Sequence, residues 1–522
     1  MATAGPMTAY AASEVMRSRM RMVVIVGAIA GCAGGIATAA LLLGSPIAFL
    51  LLAGAAVAVT VWLLPWTGVV AIVLIGTVIE QFSLVAEGTI SDGTDHLLLF
   101  QSFNAYGVSG LFASPFELLL ALILATWLVR GFAARTLRLP ASAIGVSVAA
   151  FALVVAVGFA RGLTGGGSPQ VALLELRPWL YLTIAFVAAS QLITTRKQLM
   201  AVLGALVVGI SIKGIQGVIT LVTHFTSRPP QAILAHEESF FFGVYIALLA
   251  ALWLAPVKGR LRNFMTLLFP FVLVADIANE RRTAWAIAAV ALAAVFAVSF
   301  FAFPDRRKTI VWLGVLGLVL AGIYWVGFSN DPGLLGQPAR AVLSQLAPTA
   351  RDQASNQYRV VENVNLGIGI RNFMPFGMGF GHPIPQAVPN VDISNVDSFI
   401  SYLPHNTVLY VWLRLGILGI TAFWMMLGIS LMTAVNSLRA RPNRTTLLIS
   451  VTLIVALLGY IVQGFYDMGL YWFRIAIVVG SLMGAMDAAR RLDAQAAKAT
   501  HPTPPRKASG IGRTGRELES AA

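Results

Sequence analysis

One histidine, His405, lies at the start of a long apolar segment in the last third of the chain, within Pro404-His405-Asn406-Thr407. Imidazole has an ordinary pKa of about 6.5, so it can take up or release a proton near neutral pH. A helix in lipid does not need such a group, and an ionisable residue at its end is therefore a candidate for proton transfer. The alternative is that His405 only anchors the helix at the water interface.

Arginine is the second residue type whose placement suggests chemistry. Several arginines, among them Arg281, Arg282 and Arg359, stand where no cytoplasmic loop is expected. Guanidinium groups bind phosphoryl oxygens through paired hydrogen bonds and keep their charge, so converging arginines suit a pyrophosphate better than a sugar. The alternative is internal pairing, because Arg281 follows Glu280 directly and Arg359 lies one helical turn before Glu362.

The composition indicates that these residues are held by helices in a membrane. The chain has 522 residues, 58% of them hydrophobic and 11% charged, against about 25% charged in soluble domains. Its apolar runs are long and unbroken, which favours α-helices, because in lipid each span must satisfy its own backbone. We expect an all-α polytopic integral membrane protein of about 12–14 transmembrane helices. The predicted spans lie near residues 22–43, 46–64, 67–85, 114–130, 141–160, 177–194, 198–222, 239–256, 263–279, 283–303, 309–328, 405–435, 445–466 and 469–487.

Basic residues recur in alternate connections between these spans, as short cytoplasmic loops require. The sequence therefore predicts a cytoplasmic N-terminus (1–21), a transmembrane domain (22–487) and a basic, disordered cytoplasmic tail (488–522). This topology accounts for much of the net charge of +14, so nucleic acid is not indicated as a partner. The clusters are Arg17, Arg19 and Arg21; Arg130, Arg135 and Arg138; Arg196 and Lys197; Lys258, Arg260 and Arg262; Arg306, Arg307 and Lys308; and Arg439, Arg441 and Arg444.

The only large outer loop, residues 329–404, is rich in Asn, Asp, Gln, Pro and Arg, and polar loops of this kind commonly carry chemistry. We expect a short helix from Asp352 to Asn363, capped by Asp352 or Ser355. A glycine turn is expected from Met374 to His382. No Rossmann unit surrounds these glycines, so they are not a dinucleotide fingerprint, although their bare amides could approach an anion.

Together these features resemble the O-antigen ligase and polymerase superfamily of bacterial membrane glycosyltransferases. The resemblance covers roughly residues 200–430. It rests on the late outer loop, on Arg359 in the first helix of that loop and on the Pro375 to Gly381 segment. The His405-Asn406 pair, which leads into a helix containing Gly416-Ile417-Leu418-Gly419, completes the pattern.

A further family element is an arginine motif that opens a preceding span. Asn279-Glu280-Arg281-Arg282-Thr283-Ala284-Trp285 occupies that place, but the flanking Ser and Gly of the family motif are absent. Successive residues on a helix point about 100° apart, so Arg281 and Arg282 can face one site only if the helix end is unwound. We favour Arg282, with Arg281 pairing with Glu280 or with a lipid phosphate.

The resemblance implies a metal-independent transfer of a glycan from a polyprenyl (undecaprenyl) diphosphate to an acceptor hydroxyl, without a cofactor. Arg359 and Arg282, with Arg281 as a third candidate, would bind the diphosphate and stabilise the charge that grows on it. His405 would accept or orient the proton of the acceptor hydroxyl. The carboxylates that could replace it as the base are Asp352, Glu362, Asp392 and Asp397.

Three more residues are candidate contacts for the substrate: Asn406, Arg371 and Lys213. For Lys213 two interpretations stay open: it is deep enough in its span to be a functional cation, or it is paired with a neighbouring carboxylate. Arg414 lies nine residues after His405, on the opposite face of the helix, and is expected to be structural. Polar groups in another outer connection are expected mainly at the interface, namely His224, Arg228, His236, Glu237 and Glu238.

Three alternatives to an O-antigen ligase-like enzyme stay open. A polymerase would extend the lipid-linked glycan and differ only in its acceptor. A polysaccharide or lipid transporter would also have many spans, but it more often has two related halves, which this sequence lacks. A metal-dependent sugar transferase would carry acids in its first outer loop, where Glu87, Asp92, Asp95 and His96 occur. For the ligase-like reading the expected location is the bacterial inner membrane, and the partners are membrane lipids, the lipid-linked glycan and an acceptor lipid or glycan.

Overall fold

The computed structural model describes residues 46–81, 99–106, 110, 112–137, 139–225, 232–255, 258–348, 350–391, 399, 401–440 and 443–500. Within these ranges the chain forms α-helices, short 3₁₀ turns and loops, with no β-strand. The helices are α1 (Pro46–Leu63), α2 (Trp66–Val78), α3 (Pro115–Ala133), α4 (Ala143–Thr164), α5 (Pro169–Leu192), α6 (Arg196–Thr223), α7 (Glu238–Leu254), α8 (Arg260–Ala278), α9 (Arg282–Ala302), α10 (Arg307–Phe328), α11 (Gln337–Leu346), α12 (Ala350–Phe373), α13 (Thr407–Arg439), α14 (Arg444–Tyr466) and α15 (Phe473–Thr500).

Among these described helices, nine are long and apolar enough to cross a membrane by length and composition. They are α3, α4, α5, α6, α8, α9, α10 with the 3₁₀ turn before it, α13 and α14. Three shorter apolar stretches of helix are also described: Gly54–Leu63 within α1, α2 with 13 residues and α7 with 17 residues. Each span predicted after residue 45 overlaps one of the helices, whereas the span predicted at 22–43 lies outside the described residues. An all-α, multi-span architecture is therefore confirmed, while the span number and orientation stay predictions.

Local sequence fixes where several helices begin. Ser114 caps α3, because its hydroxyl accepts a hydrogen bond from the Glu117 amide while the Glu117 carboxylate accepts one from the Ser114 amide. This reciprocal capping satisfies amides that have no partner inside the helix. Thr195 and Gln198 form the same arrangement at α6, and Asn406 caps α13 by accepting from the Leu409 amide at 3.1 Å. The cap of α13 thereby fixes the start of the helix directly after His405.

The segment predicted to be the large outer loop contains a longer helix than the sequence predicted. Instead of a short helix from Asp352 to Asn363, α12 has 24 residues and ends at Phe373. Asp352 lies in its first turn rather than at its cap, so the predicted cap was wrong. Gly367 and Gly369 do not end the helix: Gly369 leaves room for Leu413 of α13, since a Cβ there would lie 2.9 Å from the Leu413 side chain.

The C-terminal segment also differs from the prediction of a disordered tail from residue 488. The final helix α15 continues to Thr500. Tertiary contacts hold its first turns beyond 488: the Arg491 guanidinium donates to the Ser190 and Ile193 carbonyls at 2.6 and 2.8 Å, and Asp493 pairs with Arg196. The Ala-rich sequence that follows has a high helix propensity, so the helix continues. Residues 501–522 lie outside the described part.

The glycine turn has a structural role. Gly377, Gly379 and Gly381 all have positive φ angles of 74°, 80° and 83°, which glycine adopts without steric cost. The Gly379 amide donates to the Arg414 carbonyl at 3.0 Å, and the Gly381 amide donates to the Glu175 carboxylate at 2.5 Å. The Gly381 amide thus binds an anion of the protein itself, the Glu175 carboxylate, whereas the amides of Gly377 and Gly379 donate to backbone carbonyls.

Arg414 and Glu175 tie this segment to the bundle. Their side chains are fully buried and form an ion pair with 2.5 Å between Nη2 and Oε1. Arg414 also donates to the Tyr402 carbonyl at 3.1 Å, which fixes the chain shortly before His405. This geometry agrees with the structural role predicted for Arg414, which holds the segment before α13 against the bundle.

Candidate functional site

A cavity of about 850 Å³ opens between the ends of α8, α9, α12, α13 and α14. Its volume lies within the range of about 300–1,000 Å³ that small-molecule sites usually have. Polar and apolar side chains line it in similar measure. The charged and polar residues on its wall are His236, Asn279, Glu280, Arg281, Arg282, Asp352, Ser355, Asn356, Arg359, Glu362, Asn363, His405, Asn406 and Asp467.

The turn between α8 and α9 brings both predicted arginines to this cavity. Helix α8 ends at Ala278 and α9 begins at Arg282, so Asn279, Glu280 and Arg281 are not helical. Arg281 is extended, with φ −93° and ψ 117°, and Glu280 has a positive φ of 50°. Because the end is unwound, Arg281 and Arg282 both line the cavity. The preference for Arg282 alone is therefore not supported by the geometry.

Asn279 holds this turn in place. Its side-chain oxygen accepts from the Leu234 amide at 2.9 Å, and its side-chain nitrogen donates to the Ala235 carbonyl at 3.2 Å. Asn279 itself is buried. The segment before α7 and the arginine turn are thereby joined, which also places His236 on the cavity wall.

Arg359 reaches the same cavity from α12. Its Nε atom is buried and has no hydrogen-bond acceptor among the described residues. The predicted ion pair with Glu362 is not formed, since within the described ranges no carboxylate oxygen lies within 4 Å of the Arg359 guanidinium. Arg282, by contrast, has Nη1 at 3.4 Å from Oδ1 of Asp352.

Glu362 pairs with His405 instead. Its Oε1 lies 3.3 Å from Nδ1 of His405, and its Oε2 accepts the His405 backbone amide at 3.0 Å. The Glu362 side chain is only 6% exposed, and that of His405 is 21% exposed. Tyr358 packs edge-on against the imidazole, with 5.8 Å between ring centroids. A carboxylate at Nδ1 fixes the ring and leaves Nε2 as the nitrogen that can act as a base.

A second histidine–carboxylate pair, which the sequence analysis missed, lines the cavity. Nδ1 of His236 lies 3.1 Å from Oδ2 of Asp467, and Asp467 follows directly after α14. The signal in the sequence was a lone carboxylate, Phe465-Tyr466-Asp467-Met468, in the short turn between two apolar spans. His236 was expected mainly at the interface, with contact to the glycan or diphosphate as the alternative, and its carboxylate partner was not predicted.

The surroundings of this pair shift both pKa values downwards. Burial lowers the pKa of His236, and the charges of Arg281 and His405 lower it further, against the opposing effect of Asp467. For Asp467, burial acts to raise the pKa, but His236, His405 and Arg359 together hold it well below the usual range of a carboxyl group. Asp467 is therefore a carboxylate at neutral pH, held by surrounding positive groups.

The structure does not bring Lys213 or Arg371 to the cavity. Lys213 is fully buried inside the bundle, where its ammonium contacts the Glu80 carboxylate and lies 3.9 Å from that of Glu238. Arg371 is exposed near the far end of α12. Lys213 is thus paired with buried carboxylates. Arg371 lies far from Arg359 along α12. Neither residue lines this cavity, so their contact with a substrate stays a prediction.

The other candidates divide between these two outcomes. Asn406 lines the cavity but uses its side-chain oxygen to cap α13. His224 follows α6, and its ring lies 3.1 Å from the Thr220 carbonyl, away from the cavity wall. Glu237 and Glu238 are buried rather than interfacial. Arg228, Asp392 and Asp397 fall outside the described residues.

In the part of the chain that the structure describes, no three His, Cys, Asp or Glu side chains are grouped so as to hold a metal ion. The acidic loop residues Glu87, Asp92, Asp95 and His96 lie outside the described ranges, so they leave the metal-dependent alternative open. What the cavity does offer is three guanidinium groups and two histidines, each histidine held by a carboxylate. Such a set can bind an anionic group and move a proton beside it.

Comparison with known proteins adds no family assignment. No protein-family model matches the chain, and no curated protein is significantly similar to it. The likeness to the O-antigen ligase and polymerase superfamily accordingly stays a resemblance carried by the quoted residues.

Proposed function

We propose that this protein is an O-antigen ligase-like membrane glycosyltransferase that uses a polyprenyl diphosphate-linked glycan as its donor. The observation that supports the proposal most is the convergence of Arg281, Arg282 and Arg359 with His405 on one cavity. These residues come from three separate parts of the sequence. The proposed location is the bacterial inner membrane, with both termini in the cytoplasm and the cavity at the outer face.

The arginines would bind the diphosphate of the donor. Arg359 and the two arginines of the turn, Arg281 and Arg282, all line this cavity, so a diphosphate bound in it can receive hydrogen bonds from two separate parts of the chain. Its negative charge grows as the bond between the anomeric carbon and the phosphate oxygen breaks. Fixed guanidinium groups in a partly dry cavity stabilise that growing charge without reorganising.

In the proposed complex the Asp352 carboxylate would compete with the diphosphate for Arg282. It lies 3.4 Å from Nη1 of Arg282, and in the proposed complex the diphosphate oxygens would share or replace that contact. Arg359 has no carboxylate partner within 4 Å among the described residues, so it would bind first and most directly. In the unliganded protein Asp352 keeps Arg282 oriented towards the cavity.

His405 would act on the acceptor. The acceptor hydroxyl oxygen attacks the anomeric carbon, its proton passes to Nε2 of His405, and the polyprenyl diphosphate leaves. Glu362 holds Nδ1 of His405 at 3.3 Å, which orients the ring and stabilises the imidazolium that forms. The proton then returns to bulk water or to the departing diphosphate, so the protein ends the cycle unchanged.

The test is transfer by purified protein. A lipid diphosphate-linked glycan and a hydroxyl-bearing acceptor lipid are incubated with the full chain in detergent, and the products are separated on a glycan gel. Transfer to the acceptor lipid is expected, and His405→Ala should lower its rate by about 10²–10⁴-fold, the usual contribution of a positioned proton acceptor. Extension of the donor glycan instead would identify a polymerase.

His224→Ala is the matched control, because that histidine lies outside the cavity and its loss should leave the rate unchanged. A deletion strain gives the second readout: loss of glycan attachment with free polymer accumulating indicates a ligase, and single attached repeats indicate a polymerase. Normal transfer by a correctly inserted His405→Ala variant would contradict the proposed role of His405. Movement of lipid-linked glycan across vesicles without any transfer would identify a transporter.

A further inference from the structure

A second cavity, of about 420 Å³, lies beside the outer end of α4. It is lined by Arg161, Thr164, Gly165, Phe373, Met378 and His382. None of these residues lines the first cavity. The two sites are also separated along α12: Arg359 faces the first and Phe373 the second, fourteen residues apart, or roughly 21 Å at the helical rise.

Two cationic or proton-donating groups face this second cavity. Arg161 is exposed, and within the described ranges no carboxylate oxygen lies within 4 Å of its guanidinium. Its guanidinium carbon lies 5.6 Å from the centroid of the Phe376 ring. His382 faces Gly165, where an added Cβ would lie 3.3 Å from its Nε2. Without a side chain at Gly165, the ring nitrogen stays accessible.

The helix below the cavity is apolar and exposed. Leu153 and Val157 are 67% and 59% exposed, and they lie two and one turns before Arg161 on the same face of α4. The opposite face of α4, with Phe151 and Val155, is buried in the bundle. An apolar stripe of a membrane helix therefore leads directly to a guanidinium at the level where the helix ends.

Around the mouth of the cavity, further apolar side chains are exposed. Met374 directly follows the lining residue Phe373 and is 52% exposed, and Phe376, whose ring lies against Arg161, is 61% exposed. Aromatic and apolar groups beside a cation are the arrangement that suits the boundary between acyl chains and headgroups. A soluble anion would need no such stripe, so the surroundings favour a ligand with both a charged head and an apolar chain.

We propose that Arg161 and His382 bind the phosphate of an anionic phospholipid whose acyl chain lies along Leu153 and Val157. The guanidinium donates two hydrogen bonds to phosphoryl oxygens, as arginine commonly does, and His382 donates a third. This site is distinct from the proposed catalytic cavity, and it would hold a lipid at the edge of the segment that Arg414 and Glu175 anchor.

The test is lipid binding to the full chain, purified in detergent and titrated with phosphatidylglycerol or phosphatidylcholine while bound lipid is counted by native mass spectrometry. Phosphatidylglycerol is expected to bind at least about tenfold more tightly than phosphatidylcholine. Arg161→Ala should remove about a tenfold preference, the effect of losing one charge-assisted pair of hydrogen bonds. His382→Ala should weaken binding by a smaller factor. Both side chains lie at the surface of the cavity, so these variants should fold, and a thermal unfolding scan verifies it.

Arg307→Ala is the matched control, because Arg307 also stacks on a phenylalanine ring, Phe300 at 5.1 Å, and its loss removes the same charge at the opposite end of the bundle. It should leave this binding step unchanged. An equal loss in Arg307→Ala, equal affinity for the two lipids, or full displacement of the lipid by inorganic phosphate would overturn the proposal. None of these readouts depends on glycan transfer, so they separate this site from the proposed function.

Discussion

Two regions of the molecule hold its buried and half-buried charges in opposite ways. Inside the bundle, the Arg474 guanidinium lies 2.7 Å from Glu238 and 3.9 Å from Glu237, and Lys213 contacts Glu80. All these side chains are at most 1% exposed. In the first cavity the carboxylates Glu362 and Asp467 hold histidines instead, and no carboxylate oxygen among the described residues lies within 4 Å of the Arg359 guanidinium.

The difference follows from desolvation. A charge with no access to water costs several kcal/mol unless a partner lies beside it, so the interior of the bundle must match cations with carboxylates. The cavity wall keeps contact with water and can leave a guanidinium available to a ligand. Arginines in these two settings look alike in the sequence, yet one set stabilises the fold and the other is suited to bind a substrate.

The largest expected effect is on folding. Arg474→Ala leaves Glu237 and Glu238 buried without their guanidinium, which should lower the free energy of unfolding by about 3–5 kcal/mol. Thermal unfolding of the detergent-purified protein, together with its yield in the membrane, measures this. An unchanged unfolding temperature would show that the buried Arg474 does not stabilise the fold, and the proposed difference between the two regions would be wrong.

Arg359→Ala tests the other side of the comparison. Loss of one guanidinium aimed at the growing charge should slow glycan transfer by about 10²–10³-fold, whereas the unfolding temperature should stay close to that of the wild-type protein. Transfer assays and thermal scans on the same preparation give both numbers. Arg359→Lys keeps the charge without the paired hydrogen bonds and should recover only part of the rate.

Glu362→Gln sharpens the comparison at the histidine. The amide can still accept the His405 backbone hydrogen bond, but it no longer stabilises an imidazolium, so the transfer rate should fall by about 10–100-fold. The rate is measured across a pH series. A rate unchanged at every pH would show that Glu362 does not act through His405.

A smaller effect concerns pH and stability. The pKa of His236 is lowered in the folded protein. As the pH falls, this histidine is therefore protonated at a higher pH in the unfolded chain than in the folded protein. The contribution of neutral His236 to stability is therefore complete above about pH 6.5 and decreases as the pH drops below that value. Since 32% of the His236 side chain is exposed, the effect should be modest. His236→Gln should flatten the decrease in unfolding temperature between neutral and mildly acidic pH, while His224→Gln should not.

The smallest expected effect is that of Arg371→Ala. Its side chain is exposed and lies away from both histidine pairs, so the transfer rate should change by less than about twofold, as for most surface substitutions. Transfer assays beside Arg359→Ala measure it. A large loss of transfer would instead support the substrate contact that the sequence predicted for Arg371.

The sequence alone determined the helices, because a long apolar segment in lipid satisfies its backbone hydrogen bonds within the segment by forming an α-helix. It also identified His405, Arg282 and Arg359 as residues worth placing, since ionisable groups are rare where lipid is the solvent. Their biochemical role is still a prediction. Local sequence likewise determines capping patterns such as that of Ser114 with Glu117, because the two residues interact within one helical turn.

Only the tertiary structure decided which charges face one another. The spacing along α12 would allow the Glu362 carboxylate to pair with Arg359. Because α12 packs against the start of α13, the carboxylate contacts His405 instead. The unwound turn that brings Arg281 and Arg282 to one cavity depends on Asn279 binding a segment 44 and 45 residues earlier. Lys213 and Arg359 differ in role because burial and partners are properties of packed helices, and spacing along one chain does not fix them.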